Sequence, residues 1–147
     1  MASFTFVRDV AAPPQTLFDV LTDHQGYAAF TPLRKSALEH PGEPAPNGVG
    51  AIRRLTLVGP PLREEVISFQ APTRFSYKLL SGAPLRDHVG TVELTAQGAG
   101  TRMVYAVRTT PTVPVVAPLV LGVTKLAVKS LVDGICTESE RRAADAR

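Results

Sequence analysis

From Ser3 to Val10 apolar and polar residues alternate, with Phe4, Phe6 and Val10 set against Ser3, Thr5 and Asp9, the period of two expected of a strand with one buried face. Arg8 interrupts that face. Pro13 and Pro14 suit the start of a helix, where a missing N–H costs nothing, and Leu17, Phe18 and Leu21 recur at helical spacing, so the pattern predicts a helix ending near Asp23. Gly26 introduces a second short helix, Tyr27 to Phe30, stopped at Thr31-Pro32 because proline disfavours helix in the residue before it.

Residues 33–40 are compatible with a strand, and residues 41–50 form a loop rich in proline and glycine. Five strands then follow, each closed by turn chemistry: Ala51 to Val58, Leu62 to Phe69, Arg74 to Leu80, Asp87 to Thr95 and Thr101 to Thr109. Loops this short join antiparallel neighbours, because parallel pairs need long crossovers. After Pro111 and Pro114 the pattern turns helical from 115 or 118 to 142, with Leu119, Val123, Leu126 and Ala127 on one face and Lys125, Lys129 and Asp133 on the other. Arg141 and Arg142 suit its C-terminal end, where the macrodipole favours cations. The order of elements is α+β, and the long helix is the one element large enough to cover a curved sheet.

A chain of 147 residues, 44% of them hydrophobic, predicts one domain over 1–147 that buries a core without staples. The formal charge of +3 is scattered, with no basic run beyond Arg53-Arg54 and Arg141-Arg142, which argues against a nucleic-acid partner. Cys136 is the only cysteine, so neither an intrachain disulfide nor a multi-thiolate metal site can form. His24, His40 and His88 lack any ligand spacing, so no metal or other cofactor is expected. MASFTFVRDV has no signal-peptide pattern, and a cytoplasmic location is expected. The apolar run Val113 to Thr124 is broken by Pro114, Pro118 and Gly122 and is shorter than the ~20 residues of a membrane span. Its apolar residues nevertheless exceed what one buried helix face needs, leaving room for transient contact with a membrane surface or a second subunit. Monomer and homodimer are both compatible with the sequence.

The order of elements, with VRDVAAPPQTLFDVLTDHQGYAAFTP, GVGAIRRLTLVG, LREEVISF, RFSYKLLSG, DHVGTVELTAQGAGTRMVYAV and the closing helix, resembles the START-like helix-grip superfamily, and within it the bacterial polyketide cyclase/dehydrase and lipid-transport-like (SRPBCC) group. The resemblance runs from Phe4 to about Arg142. It implies a curved antiparallel sheet wrapped around the C-terminal helix, two short helices after the first strand, and a ligand held between sheet and helix. Strand phase then turns Arg53, Leu55 and Leu57 inward, with Glu65, Ile67 and Phe69 on the next strand. Phe75, Tyr77 and Leu79, His88 and Val92, and Met103, Tyr105 and Val107 continue the wall; Leu119, Val123 and Ala127 face it from the helix, and Tyr27 and Phe30 cap one end. The segments Leu57 to Arg63 and Ser81 to Asp87 are similar in placement to the gate and latch loops of plant abscisic-acid receptors, although the receptor loop sequences are absent.

Arg53 and Glu65 at one phase of neighbouring strands predict a buried pair, with Glu64 facing out. If the protein is an enzyme, Glu65, His88 and Tyr105 are its candidate acid/base groups. Glycines 48, 50, 98 and 100 read as turn residues, and Cys136 as a small packing residue. The expected function is binding, transport or sensing of a small hydrophobic ligand: a lipid, fatty acyl, sterol-like or polyketide molecule. The alternatives are a polyketide cyclase/dehydrase-type enzyme and an interaction module with a collapsed cavity.

Overall fold

Proline and glycine punctuation sets most of the element boundaries in the computed structural model, which describes residues 1–147. The order is β1 (Ala2–Val10), α1 (Pro14–Leu21), α2 (Tyr27–Phe30), β2 (Lys35–His40), β3 (Ile52–Thr56), β4 (Leu62–Gln70), β5 (Arg74–Ser81), β6 (Leu85–Gln97), β7 (Gly100–Pro111), a single 3-10 turn (Pro114–Val116) and α3 (Ala117–Asp145). All seven strands form one antiparallel sheet in the order β1-β7-β6-β5-β4-β3-β2. Because β1 and β2 lie at opposite edges, α1 and α2 carry the chain from one edge to the other. Pro14 stands at the first turn of α1, which buries Leu17, Phe18, Val20 and Leu21. This is the helix-grip architecture, a curved sheet closed by its terminal helix.

The two halves of α3 meet different surroundings. Val128, Val132, Ile135, Ser139 and Ala143 recur every three or four residues and are buried, so they form the stripe that faces the sheet. Leu119 lies nine residues before Val128, or about two and a half turns at 3.6 residues per turn, and therefore points the opposite way. It is 68% exposed, with Val123 and Leu126 beside it at 60% and 66%, so the expected inward placement of Leu119 is corrected, while Val123 stands at the edge of the helix face. The first half of the helix is apolar all round, and periodicity alone could not choose its buried side. Nor do Lys125 and Lys129 interrupt the helix. Together with the preceding 3-10 turn it runs 32 residues, from Pro114 to Asp145, and by length and composition is apolar enough to cross a membrane, with a mean hydropathy of 1.8 over 18 residues. The run is thus longer than Val113 to Thr124 suggested. Its second half, however, packs on the sheet and carries Asp133, Glu138, Arg141 and Arg142.

A second correction concerns β4. The ladder sets Arg53 opposite Glu64 and Ile52 opposite Glu65, and register shifts interrupt β4 and β5 between Arg63 and Glu64 and between Val66 and Ser68. The first shift leaves Leu80 of β5 unpaired; the second leaves Ile67 of β4 unpaired and exposed and moves the phase of β4 by one, so Glu64 and Val66 point inward before it and Phe69 returns to the core after it. Unbroken alternation would have placed Glu65 and Ile67 inside.

Candidate functional site

Arg53 lies at the centre of the concave face and is 1% exposed. Its Nε donates to Oε1 of Glu64 at 2.9 Å, its Nη2 lies 2.8 Å from the same oxygen, and its Nη1 donates to Nδ1 of His24 at 3.4 Å. The Asn47 carbonyl can only accept, so His24 Nε2, 3.1 Å away, carries the ring proton and leaves Nδ1 free for the arginine. Three rings enclose the guanidinium, with centroids at 4.7 Å for Tyr77, 5.1 Å for Tyr27 and 5.5 Å for Phe75. Burial, then the adjacent Arg53 charge, pushes His24 down to about 3, so this imidazole is neutral at physiological pH. Burial is the strongest single influence and opposes the charge of Arg53, but Glu64 together with the surrounding Tyr27, Tyr105 and Tyr77 outweighs it and holds the guanidinium above its ordinary value.

The phenols complete the enclosure. Tyr27 donates to the Leu21 carbonyl, while Tyr77 and Tyr105 share a hydrogen bond of 2.7 Å. Burial raises all three hydroxyls above the usual phenol range, which keeps them protonated. Gly90 makes this packing possible, since a Cβ there would overlap the Tyr77 ring.

Above the cluster an apolar groove of about 220 Å³ opens between α3 and the loops that join β3 to β4 and β5 to β6. Among the expected ligand-facing residues Leu55, Leu57, Tyr77, Leu79, His88, Val123 and Ala127 line it, joined by Leu62, Val128 and Leu131, which the sequence did not single out, and by Glu64, which strand phase had turned outward. A second hollow of about 220 Å³ adjoins it on the Pro32–Leu33 side and shares Leu57, Leu62, Val123, Ala127 and Leu131. Leu57 lies just past the end of β3, so it stands at the rim and is half exposed rather than enclosed.

The remaining expected residues fall elsewhere. Arg53, Phe75, Met103 and Tyr105 are buried in the layer beneath the groove, and Tyr27 packs there against half-buried Phe30. Glu65 sits on the outer side with Lys78 at 3.4 Å, Ile67 is exposed, and Leu119 lies outside the lining. Of Glu65, His88 and Tyr105, only His88 reaches the groove. Glu64 takes the position expected of Glu65; two adjacent glutamates carry no sequence signal for which faces inward once the ladder contains bulges. His24 gave no motif because its partners are a loop carbonyl and a distant arginine.

His88 owes its position to another bulge. Asp87 and His88 together oppose Thr109 on β7, and Asp87 adopts the left-handed conformation, φ 51°, which aspartate tolerates better than most residues. The imidazole is thereby turned inward and is 5% exposed, yet its Nδ1 has no hydrogen-bond partner, and neither has the buried Oγ1 of Thr109 opposite. Burial lowers the pKa of His88, opposed in part by the Glu64 charge, so it too is neutral at physiological pH. Cys136 is half-buried on α3, where burial pushes its thiol up to about 11; this suits a packing residue rather than a nucleophile.

Solved structures share this architecture. An aromatase/cyclase from Streptomyces superposes with a TM-score of 0.79 at 21% identity, covering 96% of this chain and 94% of its own. A START superfamily protein from Mycobacterium smegmatis gives 0.78 at 14% identity over 99% of both chains. Norcoclaurine synthase from Thalictrum gives 0.74 at 16% identity over 96% and 95%. At these identities the likeness is one of fold. No functionally curated protein matches the chain. The family described as polyketide cyclase / dehydrase and lipid transport matches residues 1–144, and with the helix-grip fold and its apolar groove the chain belongs to that family as a hydrophobic-ligand-binding domain.

Proposed function

We propose that the protein is a non-enzymatic carrier or sensor that sequesters one small hydrophobic molecule, of lipid, acyl, sterol-like or polyketide type, in the groove beneath the first half of α3. The observation that carries this reading is the groove itself, lined mostly by apolar residues with a few polar side chains among them. Its size sets a scale. An apolar cavity of roughly 150 Å³ admits benzene, so about 220 Å³ holds a bicyclic ring or a short chain, and a longer ligand extends into the adjoining hollow or out past the rim. That rim is formed by Leu57, Val58 and Pro60 on the loop and Val123 on the helix, and the exposed apolar back of α3 continues from it. Such a mouth supports uptake from a lipid surface touched in transit, because the ligand need not cross water.

A cyclase-type reaction is the second reading, favoured by the presence of both Glu64 and His88 in the lining of the groove. One experiment separates the two. Native and denaturing extraction of the purified protein, followed by mass spectrometry, is expected to release a hydrophobic molecule at near one per chain, and rebinding should return it chemically unchanged. Recovery of a converted product would favour the enzyme. Absence of any ligand, with no binding of an apolar fluorescent probe, overturns the carrier reading and leaves the closed interaction module.

A further inference from the structure

Four polar side chains reach the groove: Glu64, Tyr77, His88 and Thr124. Two are already committed. The Tyr77 hydroxyl is bonded to Tyr105, and Thr124 Oγ1 donates to the Val120 carbonyl at 2.7 Å. Both Arg53 contacts to Glu64 fall on Oε1, which leaves Oε2 outside the pair. His88 has an unpartnered Nδ1 although the residue is 95% buried. What the groove offers a ligand is therefore a carboxylate oxygen, which only accepts, and a neutral imidazole, which accepts at one nitrogen and donates at the other.

Charge narrows the choice. Arg53, the cation beside Glu64, is held by Glu64 and His24, enclosed by three rings, and absent from the groove lining. An incoming carboxylate would have to shed its water without reaching the guanidinium, and it carries only acceptors to set against Glu64 Oε2. An ammonium gains little, because Glu64 is already neutralised by Arg53 and the ligand cation would have to shed its water. A neutral hydroxyl satisfies both free groups at small desolvation cost, donating to Glu64 Oε2 and bonding to His88.

We propose that the groove selects neutral, hydroxyl-bearing apolar molecules, phenols or alcohols, and discriminates against the corresponding free carboxylates, with Glu64 and His88 as the specificity-determining residues. This rests on the proposed ligand-binding role of the groove and narrows it.

Naphthalene, 2-naphthol and 2-naphthoate fit the size of the groove and differ only in the polar substituent. At neutral pH, where the naphthol is uncharged and the naphthoate ionised, titration followed by intrinsic or ligand fluorescence is expected to give binding of naphthalene, about tenfold tighter binding of 2-naphthol, and binding of 2-naphthoate weaker than naphthalene. Glu64→Gln should narrow the naphthol-to-naphthoate ratio severalfold. Since that change disturbs the partner of Arg53, His88→Val supplies a second variant that leaves the pair intact; it should remove most of the naphthol advantage, read as the ratio of 2-naphthol to naphthalene affinity within the same variant. If naphthalene binds and 2-naphthoate binds as well as or better than 2-naphthol, the selectivity proposal fails while the groove reading stands. If none of the three binds, the groove reading itself fails.

Discussion

Two polar places share the concave face of one sheet, and they are finished differently. Around Arg53 every strong donor finds an acceptor or a ring, and the histidine beside it has both nitrogens engaged. At the β6 bulge, His88 Nδ1 and Thr109 Oγ1, on neighbouring strands, each lack a partner, although both residues are buried. A buried polar atom without a partner costs about 1–3 kcal/mol. The satisfied cluster thus acts as architecture, fixing how β3, β4 and the α1–α2 segment meet, and the unsatisfied corner is where the fold has left capacity for something else.

The sharpest way to break that contrast is to open the satisfied cluster. Arg53→Met leaves the Glu64 carboxylate buried without its counter-charge, and a loss of about 3–5 kcal/mol in urea unfolding is expected. The double variant Arg53→Met, Glu64→Leu should recover most of it, because two apolar side chains can replace a buried pair at little net cost. A single variant within about 1 kcal/mol of the wild type would show that the pair does not hold the sheet together.

Acid tests the same cluster more gently. His24 titrates near 3 when folded against an ordinary 6.5, so as pH falls below 6.5 the unfolded chain takes up the proton first. The His24 contribution is complete above about pH 6.5 and is lost progressively towards about pH 3. His88, also lowered, acts in the same direction. Unfolding curves across this window should show a wild-type decline that His24→Gln reduces by a few kcal/mol at the acid end. Parallel curves for the two proteins would mean that His24 is not held neutral by its surroundings.

The unsatisfied corner predicts the opposite sign. In His88→Val the buried orphan nitrogen disappears, and the protein should hold its stability or gain about 1 kcal/mol in the absence of ligand. A loss above about 1 kcal/mol would show that His88 is a structural residue. That outcome would also weaken the case for its facing a ligand.

These contrasts also mark what the residues disclose before folding. Strand ends at Gly59-Pro60, Ala71-Pro72 and Gly98-Ala99 were readable because turn chemistry is local, and the inward faces of β3, β5 and β7 followed from simple alternation. The groove's polar lining was half readable. His88 lies in the groove lining, as strand phase implies, but Glu64 exchanges roles with Glu65 because the bulge at Ile67 shifts the phase of β4, and a bulge depends on the partner strand as much as on its own residues. His24 was invisible as part of the cluster, since its partners lie 23 and 29 residues away.

The smallest expected effect concerns the helix above the groove, where sequence pattern failed most. If the back of α3 is truly uncovered, Leu119→Ser removes apolar surface that already faces water, and stability should stay within about 0.5 kcal/mol of the wild type. The same side chain matters if the apolar rim rests on a lipid surface while ligand passes, so co-sedimentation with anionic vesicles should fall in Leu119→Ser although folding is untouched. A marked loss of stability instead, dependent on protein concentration, would mean that a second copy of the chain covers this face, and the rim would then be an interface rather than a port. Ile135, two turns into the sheet-facing half, supplies the control, because its truncation should destabilise the fold at any concentration whatever covers the first half.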